Sequence, residues 1–186
     1  MGAATSCASE SKEDKSLRDH IGMDNSEVED IVKSWEAVRK FGAEQAGIIL
    51  FKKVFAAAPE TLQMFEAFRD IPDYENSKEF KHHCKIVMNI VGSAVGLLRD
   101  PESLDSTLEY LGLKHDGFGI TQAHFDLMGG LMMETLREAI GSKFTPAVEK
   151  AWLKMYNYTA KLILDGMSRM EKLKKNPEIV LASDKK

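Results

Sequence analysis

Two of the five histidines stand where chemistry is possible. His83 falls on the apolar stripe of an amphipathic segment that also carries Phe80, Val87, Val91, Val95 and Leu98. His115 ends a second stripe, after Leu104, Leu108 and Leu111 at spacings of 4, 3 and 4. Residues three and four apart share one helix face, so both imidazoles are expected to point inward. A lone inward histidine has a plain role as a hydrogen-bonded core residue. Two of them on separate helices have another role open to them. They can face one another across a flat ligand or a metal, for which neutral imidazole is a common donor. His82 and His124 lie off the stripes and are expected at solvent, and His20 falls in the N-terminal extension.

The elements that must position these side chains read as helices throughout. No Val/Ile-rich alternating run bounded by turn signals appears, so strands are not expected. Ser26-Glu27-Val28-Glu29 has the pattern of a capping box and opens a helix through Ile31, Trp35 and Val38. A second helix runs from about Ala43 to Ala58 and breaks at Pro59, with a short turn through Phe65 and a loop over 69–75. Asn76-Ser77 begins the long helix of His83. Asp100-Pro101 supplies an N-cap and a first-turn proline to the helix of His115. Thr121 caps a helix with Phe125, Met128, Met132 and Leu136 inward, and Thr145-Pro146 opens the last, through Val148, Trp152, Met155, Tyr156 and Leu162. The result is an all-α domain of six to eight helices with short connections.

The 186 residues, 44% hydrophobic and 29% charged, suffice for one domain with a real core. A net charge of −4 gives no basic footprint for nucleic acid. Cys7 and Cys84 cannot form a disulfide framework and suit a reducing, intracellular setting. Cys84, next to His83, reads as a small buried hydrophobe. The most apolar stretch, 86–98, falls short of the roughly 20 residues a membrane span needs.

Residues 1–24 lack aromatics, are rich in serine and alternating charge, and are expected to be mobile. Their start, Met1-Gly2-Ala3-Ala4-Thr5-Ser6-Cys7, fits N-myristoylation at Gly2, with Cys7 placed to take a palmitate. One myristoyl chain holds a protein at a membrane marginally, and two acyl chains hold it stably. The alternative is an unmodified small-residue terminus. Residues 173–186 also lack aromatics and read as a flexible tail. Arg169, Lys172, Lys174 and Lys175 around its start read as a solvated helix end, with contact to anionic lipid as the second reading.

From about Asn25 to Lys172 the chain resembles a globin. The landmarks come in order: Trp35 on the first helix, Pro59 opening a short third one, then Phe65 with Phe68 three residues on. His83 with Val87 four residues later stands at the distal histidine and the valine beyond it. Leu111-Gly112-Leu113-Lys114-His115 resembles the proximal histidine region, and Phe125 and Trp152 fit the later helices. Ser77 to His83 and Lys143 to Ala147 are most similar to neuroglobin-like and globin X chains, some of which carry an acylated N-terminus. The resemblance implies a globin fold, three helices over three around haem, with 1–24 and 173–186 outside a globin domain of 25–172. It implies haem b held without covalent attachment, since no Cys-x-x-Cys-His pattern is present.

In that frame His115 is the proximal and His83 the distal haem ligand. Phe65, Val87, Leu111, Ile120 and Phe125 form apolar walls, and Phe51 stands where leucine is common and narrows the distal side. His83 either hydrogen-bonds a bound gas or ligates the iron itself, and similarity to neuroglobin favours ligation. The expected function is a membrane-anchored haem protein at the cytoplasmic face of the plasma membrane. It acts in redox or gas chemistry: electron transfer, reduction of nitrite or reactive species, or oxygen sensing, as haem-based redox activity rather than a dedicated enzyme. Its partners are O2, CO, NO or nitrite, the membrane through its acyl chains, and a redox protein. An oxygen-transport or storage globin is the alternative, and a haem-free helical interaction module the remote one.

Overall fold

A computed structural model of the chain describes residues 12–175, which form seven α-helices and three short 3-10 helices with no strand among them. The order is α1 (Lys12–Ile21), α2 (Asn25–Phe41), α3 (Ala43–Ala57), α4 (Lys78–Gly96), α5 (Pro101–His115), α6 (Gln122–Ile140) and α7 (Pro146–Lys175). The 3-10 turns are Pro59–Met64 and Tyr74–Asn76 between α3 and α4, and Gly141–Lys143 between α6 and α7. No helix among the described residues is long and apolar enough to cross a membrane. Gly2 and Cys7 lie outside the described residues.

The helix starts follow local capping chemistry. The Ser77 side chain accepts from the Phe80 N–H, at 3.1 Å, where α4 begins. Asp100 does the same for Ser103, at 3.3 Å, with Pro101 in the first turn of α5. One start is corrected. The capping box of α2 lies two residues earlier than Ser26 and is closed by Asp24 and Glu27. Asp24 Oδ1 accepts from the Glu27 N–H at 2.9 Å, and Glu27 Oε2 accepts from the Asp24 N–H at 3.1 Å. The two patterns share one spacing; the helix starts at Asn25, so Asp24 is the N-cap and its pair with Glu27 satisfies amides that the first turn leaves unpaired.

The core is built by helix-on-helix packing. α5 lies along α7, α3 against α4 and α6, and α2 across α6 and α7. The α5–α7 crossing is possible because Gly112 faces the backbone of Ile163 and Gly166 faces that of Glu109. A Cβ at either would run into a carbonyl oxygen. The helix that ends in His115 is thereby seated backbone to backbone on the longest helix of the fold. Near the opposite end, Trp152 donates its indole N–H to Ser34 Oγ at 2.8 Å, and Ser34 donates to the Ile31 carbonyl. This buried polar chain is satisfied at each link.

The stretch 1–24, expected to be mobile, carries a packed helix over its second half. α1 buries Leu17 and Ile21, and Met23 after it is fully buried. His20 Nε2 meets Asp105 Oδ2 at 2.8 Å, the Tyr158 hydroxyl donates to Asp105, and Lys154 Nζ donates to the Gly22 carbonyl at 3.0 Å. The first helix is thus tied to α5 and α7. At the other end, the first three residues of the expected C-terminal tail are the last of α7. The rest of that tail lies outside the described residues.

Candidate functional site

The distal half of the site is carried by α4 and the segment before it. His83 sits one turn after Glu79 on α4, with its ring among aromatics. The Phe51 centroid is 4.8 Å away at 77°, that of Phe65 5.0 Å away at 72°, and that of Phe68 6.1 Å away. Phe51 comes from α3 and is 2% exposed, so the bulky residue expected there stands edge-on against the imidazole. No hydrogen bond from the described residues reaches the His83 ring. Burial, then the like charges of His115 and His82, lower its pKa from 6.5 to about 4. His83 is therefore a neutral imidazole at pH 7, with a nitrogen lone pair free to bind.

The proximal half is carried by the end of α5. His115 is the last residue of that helix and is half-buried. Its Nδ1 lies 2.8 Å from the Leu111 carbonyl one turn back. A carbonyl can only accept, so Nδ1 carries the proton and Nε2 is the free lone pair. That is the arrangement by which a second partner orients and sharpens a metal-binding histidine. The two histidines are near enough for charge on one to oppose charge on the other.

A cavity of about 340 Å³ opens beside His83. Phe65 and His83, both expected from the sequence, line it together with Met64, Phe68, His82, Ile86 and Phe118. His115 and Phe51 lie outside that lining, as do Val87, Leu111, Phe125 and Ile120. Val87, Leu111 and Phe125 are half-buried against the core, and the Phe125 carbonyl accepts from the Tyr156 hydroxyl at 2.6 Å. Ile120 is half-buried between α5 and α6. His124, expected at solvent, is half-buried, and its Nδ1 accepts from the Thr121 N–H at 3.0 Å, completing the cap of α6. Cys84 is fully buried, and burial pushes its thiol up to about 12, which leaves it inert.

These residues fit a metal held by a flat macrocycle better than a bare ion. Among the described residues no three His, Cys, Asp or Glu side chains gather as a metal cage. A bare structural ion takes about four protein ligands, whereas a planar tetradentate group needs only one or two more. Two free imidazole nitrogens on different helices and an apolar, aromatic wall meet that need.

The depressed pKa has a testable consequence in the haem-free chain. The folded state holds His83 neutral until about pH 4, while the unfolded chain takes up a proton near 6.5. Stability is therefore full above about pH 6.5 and is lost progressively between 6.5 and 4. The loss from this one group is roughly 3 kcal/mol. Urea unfolding of haem-free protein at pH 7 and pH 4.5 should show it. His83→Gln, neutral at both, should reduce the difference by about that amount, and an unchanged pH dependence in that variant would exclude a contribution from His83.

Comparison with known proteins follows the same lines. Residues 49–163 match the globin family model. The chain is 31% identical to neuroglobin of Danio rerio over 146 residues, covering 77% of this chain and 91% of that one. A hexacoordinated haem protein from an anhydrobiotic tardigrade superposes with a TM-score of 0.73 at 19% identity, over 80% of this chain and 97% of that one. The haemoglobin of the botfly Gasterophilus intestinalis does so with 0.71 at 21% identity, over 78% and 99%. The hexacoordinate haemoglobin of Drosophila melanogaster gives 0.70 at 20% identity, over 76% and 93%.

Proposed function

The chain belongs to the globin family, and from that premise we propose that it holds haem b without a covalent bond, between His115 on the proximal side and His83 on the distal side. The observation that carries this reading is the pair of imidazoles from α4 and α5, each with a lone pair free, the first of them beside a largely apolar cavity. When bound, haem supplies an iron centre that takes small ligands such as O2, CO, NO or nitrite and exchanges single electrons.

The chain's own residues set what that centre can do. His115 would provide one nitrogen donor to the group, oriented through Leu111. His83 provides the second, favoured because it is neutral and carries no competing hydrogen bond. The rings of Phe51, Phe65 and Phe68 pack around it and fix its orientation. Two nitrogen ligands suit both oxidation states, so electron exchange proceeds with little rearrangement. We therefore favour redox and gas chemistry, in electron transfer, reduction of nitrite or reactive species, or oxygen sensing. The 31% identity to a neuroglobin supports this over bulk oxygen storage. Absorption spectra of the ferric and ferrous protein, with and without carbon monoxide, test it. Low-spin, six-coordinate spectra in both unliganded states are expected. A five-coordinate, high-spin ferrous spectrum would show that His83 is not a ligand.

We further propose that acyl chains at Gly2 and Cys7 hold the protein at the cytoplasmic face of the plasma membrane, where a redox protein can meet it. The support is the sequence pattern and the need for two chains in stable attachment. Gly2→Ala should remove the myristoyl mass increment and move the protein from the membrane to the soluble fraction of a eukaryotic host. An unchanged distribution would defeat the anchoring reading.

A further inference from the structure

We propose that Phe118 forms the proximal lip of the haem site and sets how fast haem, and the small ligands that follow its path, pass the mouth. The inference rests on the haem reading above and adds a residue from the loop after α5. Phe118 stands three positions beyond His115, with its N–H directed at the His115 carbonyl at 3.4 Å. Its neighbours Gly117 and Gly119 have φ of +91° and +72°. Side chains other than glycine avoid that left-handed region, so the loop turns twice around one aromatic residue and projects it.

The ring it projects lines the cavity beside His83. Met64, Phe65, His82, His83 and Ile86 face it from the distal side. Among the described residues, Phe118 alone reaches that cavity from the proximal side. It is 52% exposed, and Ile86, which lines the same cavity, is 41% exposed. Large apolar side chains so open to water at the rim of an apolar cavity mark a place where a ligand completes the cover. An apolar ligand seated there gains the faces of both, and Phe118 must move aside for it to leave.

The test uses the full chain loaded with haem and follows transfer of haem to excess apomyoglobin by absorbance. Phe118→Ala is expected to lose haem about tenfold faster, the scale set by removing one aromatic contact face. Phe118→Trp should lose it no faster than the native chain. Tyr110→Ala removes an exposed aromatic of α5 that does not line the cavity, and should leave the rate unchanged. Carbon monoxide rebinding after flash photolysis should accelerate in Phe118→Ala alone. Because Phe118 is half exposed, the thermal midpoints of the haem-free variants should match. Equal haem-loss rates in native, Phe118→Ala and Phe118→Trp chains, with normal six-coordinate spectra, would overturn the role of Phe118 and leave the haem reading standing. A native chain that takes up no haem would end both.

Discussion

His115→Ala is expected to lower haem affinity by more than about 100-fold, beyond the roughly 10–100-fold that disturbing a metal ligand's outer partners costs. Equilibrium titration with haem, or the haem-to-protein absorbance ratio after purification, reads the loss. The reason for so large an effect lies in how His115 is held. Its Nδ1 is committed to the Leu111 carbonyl at 2.8 Å, so Nε2 is a lone pair presented in one tautomer and orientation. No other described residue on α5 offers a nitrogen donor on that face, and Lys114 beside it is exposed, over the ring of Tyr110. Half-buried His115 is the terminal residue of its helix, so its truncation should leave helix content by circular dichroism unchanged. His115→Gly with added imidazole separates ligation from packing. If the residue acts as a donor, free imidazole restores the spectrum of the native haem protein. Full haem content and an unaltered spectrum in His115→Ala, without imidazole, would refute the assignment.

Much of this site was legible in the order of residue types, because helical geometry is local. Spacings of three and four placed His83 and His115 on inward faces. The Leu111 carbonyl is one turn behind His115 in any helix that includes both. The backbone seat of α5 on α7 was not legible, since Gly112 and Gly166 meet across a distance of fifty-odd residues and glycine alone does not signal contact. α1 was missed for a related reason. Leu17, Ile21 and Met23 form a stripe too short to outweigh the charges around it, and only the surfaces of α5 and α7 give it something to pack on. A marginal helix of this length owes its existence to tertiary contacts. His124 was read as solvent-facing because its partner, the Thr121 amide, is a matter of a cap rather than of stripe periodicity. Phe118 carried a visible signal, an aromatic between two glycines, but its target across the cavity did not.

His83→Leu is expected to turn the unliganded ferrous protein five-coordinate and to raise its apparent affinity for carbon monoxide or oxygen. An internal ligand lowers apparent affinity by the fraction of molecules in which it is dissociated. If that fraction is about 1–10%, the range of an ordinary minor conformer, the rise is about 10–100-fold. The packing argues for a small fraction. His83 is wedged against Phe51, Phe65 and Phe68, and its release needs those rings or the α4 backbone to shift. Leucine keeps the apolar volume and removes the nitrogen, so the fold should tolerate it. The same variant decides between the two roles of His83 by the sign of its effect. Were His83 a hydrogen-bond donor to bound oxygen, its removal would weaken oxygen binding and leave carbon monoxide, a poor acceptor, nearly unchanged. Were it an iron ligand, both gases would bind more tightly and by the same factor, because what is removed is a competitor common to both. Ligand titrations of the native and His83→Leu proteins with the two gases therefore test the six-coordinate assignment independently of any spectrum.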